Sequence, residues 1–182
     1  MSPLKRLRAD ARRNRDQLIE AAQAVFAELG TQAPLDEIAR RAGIGNATLY
    51  RHFPTRDDLL IAVYADEITA LSASGAKLLA AEREPLDALF EWLEAFVLHL
   101  ASKGDLARSL EPGARRSEQH EEWHEAIFGV ATRLVDRARE AGVIRADVDP
   151  VDLLVLVSGM ASAEPARVKR LLQMVRRSVI AR

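Results

Sequence analysis

The sequence predicts an all-α protein of about nine helices, and three observations carry that prediction. Apolar residues recur at helical spacing in segment after segment, glycines and prolines punctuate those segments, and no stretch alternates apolar with polar residues as a half-buried strand does. A chain of 182 residues with 48% hydrophobic content can bury a core of its own. The absence of cysteine rules out disulfides and thiolate-bound metal, and suits a reducing compartment. No apolar run approaches the roughly 20 residues of a membrane span. The basic N-terminus leads into an amphipathic segment instead of an apolar core with a cleavage site, so a cytoplasmic location is expected.

Taken in order, Leu18, Ala21, Ala22, Val25, Phe26 and Leu29 define a first helix from about Asp10 that stops at Gly30. Pro34 fits the first turn of a second helix, with Asp36 and Glu37 facing the positive end of its dipole. Leu35, Ile38, Ala39 and Ala42 make its apolar stripe, and Gly43 caps it. A third short helix follows Gly45, with Leu49 and Phe53 on its buried side. Two short helices joined by a glycine-bearing turn form a helix-turn-helix. Thr55 and Asp58 give a capping-box variant at the start of a long fourth helix, Arg56 to about Ala81, which carries Leu59, Leu60, Val63, Ile68, Leu71, Leu78 and Leu79. A domain boundary is placed inside that helix near residue 60, dividing 1–60 from 61–182.

Pro85 opens a fifth helix lined by Leu89, Trp92, Leu93, Phe96 and Leu100 and ending near Gly104. A short helix over 105–110 and a turn at Glu111-Pro112-Gly113 follow. The next helix, about Ser117 to Ala141, presents Trp123, Ile127, Val130 and Leu134 and closes at Gly142. Asp149, Pro150 and Asp152 supply cap, first-position proline and first-turn acid for a segment, Val151 to Met160, that is apolar nearly all round. Pro165 opens the last helix, where Val168, Leu171, Leu172, Val175 and Val179 form a stripe opposite Arg167, Lys169, Arg170 and Arg177.

Function is written on the exposed side of the third helix. An amide, a hydroxyl, a phenol, a guanidinium and an imidazole stand together at Asn46, Thr48, Tyr50, Arg51 and His52, groups that hydrogen-bond base edges and phosphates. Charge agrees: residues 1–15 hold six basic side chains against Asp10, and residues 1–60 carry a net +2 although the whole chain is at −1. A basic end on an acidic body suits approach to a polyanion from one side. The run Ile38-Ala39, Ala42-Gly43-Ile44, Thr48-Leu49-Tyr50, His52-Phe53, Arg56 and Leu59 resembles the signature of the tetracycline-repressor (TetR) family of bacterial transcriptional regulators.

That resemblance covers about residues 10–60 in motif detail and implies a DNA-binding domain at 1–60 with an effector-binding and dimerisation domain at 61–182. It sends the third helix into the major groove of double-stranded DNA. Asn46 and Ala47 then face bases, the amide suited to adenine and the methyl to thymine, and Arg51 reaches for guanine. Tyr50 contacts base or phosphate, while Thr48, His52 and Arg56 hold phosphates. The chain departs from the pattern at Gly45 in place of serine, Pro34 in place of threonine and Arg56 in place of lysine. The first two remove hydroxyls, so binding is expected to lean on the N-terminal arginines, including Arg12 and Arg13, with steep salt sensitivity.

The resemblance also implies a homodimer formed by the last two helices, with Leu153, Leu156, Val157 and Met160 on one and Val168, Leu171, Leu172 and Val175 on the other. Such a dimer reads a palindromic operator. It implies a small-molecule pocket, for which Trp92, Phe96, His99, Trp123, His124 and Phe128 are the candidates: few aromatics, gathered with two histidines on two helices. No cofactor is called for.

Two other readings compete. His120-Glu121-Glu122-Trp123-His124 satisfies HExxH, which on a helix sets two imidazoles one turn apart for zinc, as in a metal-responsive regulator or a metallopeptidase. Against it, no strand adjoins to orient a substrate and no third ligand stands at a recognisable spacing. A helical module that docks protein through the N-terminal hairpin is the other. No Ser/His/Asp, phosphate-loop or dinucleotide signature is present, so no enzymatic activity is expected.

Overall fold

The computed structural model describes residues 3–109 and 114–181, with side chains over 7–101 and 121–181. Among the described residues the fold is all-α, in eight helices: α1 (Pro3–Leu29), α2 (Leu35–Ala42), α3 (Asn46–His52), α4 (Arg56–Ala80), α5 (Pro85–Ser109), α6 (Ala114–Glu140), α7 (Pro150–Ser158) and α8 (Pro165–Val179). The only β-type pairing among them is an isolated antiparallel bridge between Ile144 and Ile180.

Eight agrees with the expected number of about nine; the stretch expected as a short helix from 105 is continuous with α5, which runs through Gly104 to Ser109. Glycine inside a helix costs only about 1 kcal/mol relative to alanine, and no proline lies between Gly104 and Ser109 to force a stop. The turn expected at 111–113 lies outside the described residues. α1 begins earlier than the apolar pattern suggests, at Pro3, a residue suited to a first turn.

The chain divides into two compact units, Met1–Glu67 with Asp105–Glu111, and Ile68–Gly104 with Pro112–Arg182. The division within α4 falls at 67/68. In the first unit Leu18, Ile19, Ala22, Val25 and Phe26 of α1 form one core cluster with Ile38 and Ala39 of α2, Leu49 of α3, Phe53, and Leu59, Leu60 and Val63 of α4. Thr55 and Asp58 cap α4 reciprocally: the Thr55 N–H and hydroxyl donate to Asp58 Oδ2 at 3.0 and 2.7 Å, and the Asp58 N–H donates to Thr55 Oγ1 at 3.1 Å.

The second unit buries Leu89, Trp92, Leu93 and Val97 of α5, Val130, Leu134 and Val135 of α6, and inward residues of α7 and α8. Gly75 permits close approach on α4: a methyl there would collide with Val130 Cγ1 and come within 2.9 Å of Trp92 Nε1. Arg137 of α6 grips the end of α4, donating to the carbonyls of Leu78 (2.9 Å), Leu79 (3.1 Å), Ala81 (3.1 Å) and Arg83 (2.9 Å). Carbonyls at and just past a helix C-terminus lack intrahelical partners, and a cation there also meets the negative end of the dipole. By length and composition α4 could cross a membrane, but its Leu59, Leu60, Val63, Ile68 and Leu71 are buried within the protein.

Candidate nucleic-acid interface

The turn that presents α3 is built from α2. Gly43 takes the left-handed conformation at φ 67°, where its N–H reaches Arg40 O (3.2 Å) and the next N–H, from Ile44, reaches Ala39 O (2.9 Å). This paired closure is a Schellman motif, and glycine accepts it without a Cβ clash. Gly45 then stands as an extended N-cap with no side chain to offer, its carbonyl accepting from Thr48 N–H at 2.8 Å and Leu49 N–H at 3.2 Å.

Two apolar residues anchor the seven-residue α3: Leu49 is 1% exposed, and Phe53, just past its end, 2%. The remaining positions form an outward surface. Asn46, Ala47, Tyr50 and Arg51 are exposed, and Thr48 and His52 are half-buried. Asn46 Nδ2 donates to Asp36 Oδ1 at 2.8 Å, so a first-turn acid of α2 steers the amide that leads α3. Arg51 lies back along its own helix, Nη2 donating to Thr48 Oγ1 (2.7 Å) and Nε to Ala47 O (3.3 Å). These are local bonds at an exposed site, exchangeable for a base edge or a phosphate.

Arg56 has an occupied guanidinium. Its Nη1 donates to Thr31 O (2.8 Å) and Ala33 O (2.7 Å), tying the loop between α1 and α2 to the start of α4. Arg12 is exposed, Arg13 sits 3.5 Å from Asp10, and the Arg15 guanidinium lies 5.7 Å over the Phe53 ring. Glu37, expected only as a first-turn acid facing the helix dipole, organises the back of the hairpin. Glu37 accepts from Arg40 Nε (2.8 Å), Arg40 Nη2 (2.7 Å) and Arg41 Nε (2.8 Å), and Arg41 also bridges to Glu28 of α1 at 2.8 Å. The hydrogen bonds from Arg40, then Arg41, hold the Glu37 carboxyl down at about 2. Its i,i+3 and i,i+4 spacing to the arginines was the available signal.

In the second unit four of the six pocket candidates form two stacked pairs. Trp92 is fully buried, stacks on Phe96 (5.7 Å between centroids, 7° between planes) and donates its indole N–H to Leu71 O at 3.1 Å. His124, exposed, stacks on half-buried Phe128 at 5.6 Å; His99 and Trp123 are half-buried. His120 of the HExxH pattern lies outside the described residues.

Of the interface candidates, Leu153, Val157, Met160, Val168, Leu172 and Val175 are buried within the chain itself. Leu156 remains exposed and Leu171 half-exposed, joined by Val151, Val155 and Met174, which are 48%, 66% and 64% exposed. Leu171 and Met174 line a groove of about 650 Å³ with Arg167, Arg170 and Arg177.

Comparison with known proteins adds a second line of findings. Residues 18–63 match the family model described as bacterial regulatory proteins, tetR family, and residues 84–178 the one described as transcriptional regulator SbtR-like, C-terminal domain. A TetR transcriptional regulator from Streptomyces coelicolor is similar in structure, with 35% identity and a TM-score of 0.77 over 92% of this chain and 98% of that one. A TetR transcription regulatory protein from Mycobacterium vanbaalenii is similar too, with 32% identity and a TM-score of 0.76 over 96% and 99% of the two chains. An HTH-type transcriptional regulator of Staphylococcus aureus is 43% identical over 54 residues, 29% of this chain; the matched stretch spans 29% of that curated relative's length.

Proposed function

The chain belongs to the TetR family of bacterial transcriptional regulators, and we propose that it is a homodimeric, sequence-specific DNA-binding repressor released by a small-molecule effector. The observation that carries this is α3: two apolar side chains fix it, and every other position faces solvent or lies half-exposed with chemistry suited to base edges and phosphates. Asn46, Ala47, Tyr50 and Arg51 read the major groove, and Thr48 and His52 steady α3 on phosphates. Such a role belongs in the cytoplasm and calls for no catalytic group.

The apolar strip left outside on α7 and α8, Val151, Val155, Leu156, Leu171 and Met174, supports pairing with a second copy. A two-fold dimer reads a palindromic operator. The Trp92–Phe96 and His124–Phe128 pairs are the proposed aromatic elements of the effector site.

Binding-site selection from random duplex DNA tests the reading, the expected product being an inverted repeat. On that repeat, Tyr50→Ala and Arg51→Ala are expected to weaken binding about tenfold or more each, in line with about 1–3 kcal/mol for a good base contact, with helix content unchanged. Undiminished affinity in both variants overturns the assignment of α3 as the reading helix.

A further inference from the structure

Asp36 and Asn46 meet across the helix-turn-helix. Asp36 stands in the first turn of α2 and Asn46 opens α3, and the turn at Gly43 to Gly45 brings the two together although ten positions separate them. The Asn46 amide donates from Nδ2 to Asp36 Oδ1 at 2.8 Å, and both residues are exposed. The neighbouring acid, Glu37, has its oxygens occupied by Arg40 and Arg41, whereas among the described residues Asp36 pairs with no cation. Its carboxylate is left to the amide.

That partnership removes a freedom asparagine ordinarily has. An amide can turn over about its last torsion and present either its oxygen or its NH2 in a given direction, with little change in shape. A carboxylate has lone pairs and no hydrogen to give, so it accepts the NH2 end and repels the oxygen end. With Nδ2 held at Asp36, Oδ1 points away from the acid, and one N–H remains beside it.

In the major groove such an orientation is a base code. Adenine and cytosine offer an exocyclic amine, N6 or N4, to an acceptor; guanine and thymine place a carbonyl oxygen, O6 or O4, in its stead. An amide fixed oxygen-outward accepts from the first two and sets oxygen against oxygen with the others. Adenine suits it best, because its N7 takes the second amide hydrogen. A carboxylate beside the reading helix also opposes approach to any polyanion, so Asp36 contributes discrimination and not affinity.

We propose that Asp36 is a specificity-determining residue that acts through Asn46: it locks the amide oxygen-outward and so restricts the base facing Asn46 to one bearing an amine, adenine before cytosine. This rests on the assignment of α3 as the reading helix, and adds to it a positioning residue outside α3 and a rule for one base position.

The substitution D36N isolates the lock, because asparagine keeps the size of aspartate but donates as well as accepts, which lets Asn46 face it either way round. Sites are selected from random duplex DNA with the wild type, D36N, N46A and D36N/N46A, and affinities are then measured on the recovered duplex with each base pair varied in turn. Ratios between such duplexes cancel the effect of the lost charge, which acts on every sequence alike. The wild type is expected to favour adenine or cytosine over guanine or thymine by roughly tenfold, the scale of one good base contact, at a position that N46A makes indifferent. D36N is expected to cut that ratio to about twofold or less, to keep every other position, and to add nothing in the N46A background. Undiminished preference in D36N, a guanine or thymine at the Asn46-dependent position, or a loss spread over the whole site overturns the lock. So does an N46A pool identical to that of the wild type, which leaves α3 reading through its other residues. Failure of the wild type to enrich any sequence sinks the DNA-binding reading itself. Both substitutions sit at exposed positions, and circular dichroism checks the fold.

Discussion

Arg56 has two possible employments, and they predict different losses. In the structure one of its nitrogens satisfies two loop carbonyls, Thr31 O and Ala33 O, 25 and 23 residues earlier in the chain. Hydrogen bonds from a charged donor contribute about 1.5–3 kcal/mol when shielded, and less at a half-exposed site. Arg56→Met is therefore expected to lower unfolding stability by about 1–2 kcal/mol in urea while leaving the salt slope of DNA binding intact. Unaltered stability with a slope shallower by about 0.9 identifies it as a phosphate contact instead. Its partners were illegible in the sequence because they are main-chain atoms, and no residue type advertises a carbonyl. Asn46 shows the same limit: its amide was visible, but Asp36, ten positions away, sets its direction. Local pairings such as Thr55 with Asp58 were legible because spacing alone brings them together.

Among the elements, those with a local cause were readable. Gly43 and Gly142 close their helices at φ 67° and 68°, as their positions after an apolar stripe suggest. The α7–α8 pair was harder. A stripe at helical spacing means burial, but periodicity does not tell core from partner, and Val168, Leu172 and Val175 went to the core. In α7 the all-round apolar character reported two faces, of which only Leu153, Leu154 and Val157 are covered by the chain itself. Gly75 was silent in the sequence for another reason: its role depends on what α5 and α6 bring to it. Replacing it with alanine gains about 1 kcal/mol of helix propensity but drives a methyl into Val130 and Trp92, and overpacking typically costs about 1–3 kcal/mol. A net loss of about 1 kcal/mol is expected for Gly75→Ala, read in urea and in the tryptophan emission, since the Trp92 hydrogen bond to Leu71 O is displaced. A melting temperature at or above the wild-type value contradicts it.

For the whole molecule, fold class and family were legible from one motif and its punctuation, whereas assembly was legible only as a tendency. The exposed apolar strip separates association from folding. Val155→Asp with Leu156→Asp is expected to leave a folded monomer of 20.1 kDa in sedimentation. Leu153→Ala, one turn away but buried, instead costs about 2–5 kcal/mol of stability and leaves the mass of the folded species unchanged. A V155D/L156D protein that still sediments as a dimer places the two-fold axis elsewhere.

The grip of Arg137 bears on how this chain tolerates change. Its four acceptors are peptide oxygens, so Leu78, Leu79, Ala81 and Arg83 can each be exchanged for another residue without removing what the guanidinium holds. Drift along that stretch is harmless to the fastening, and vulnerability gathers in a single codon.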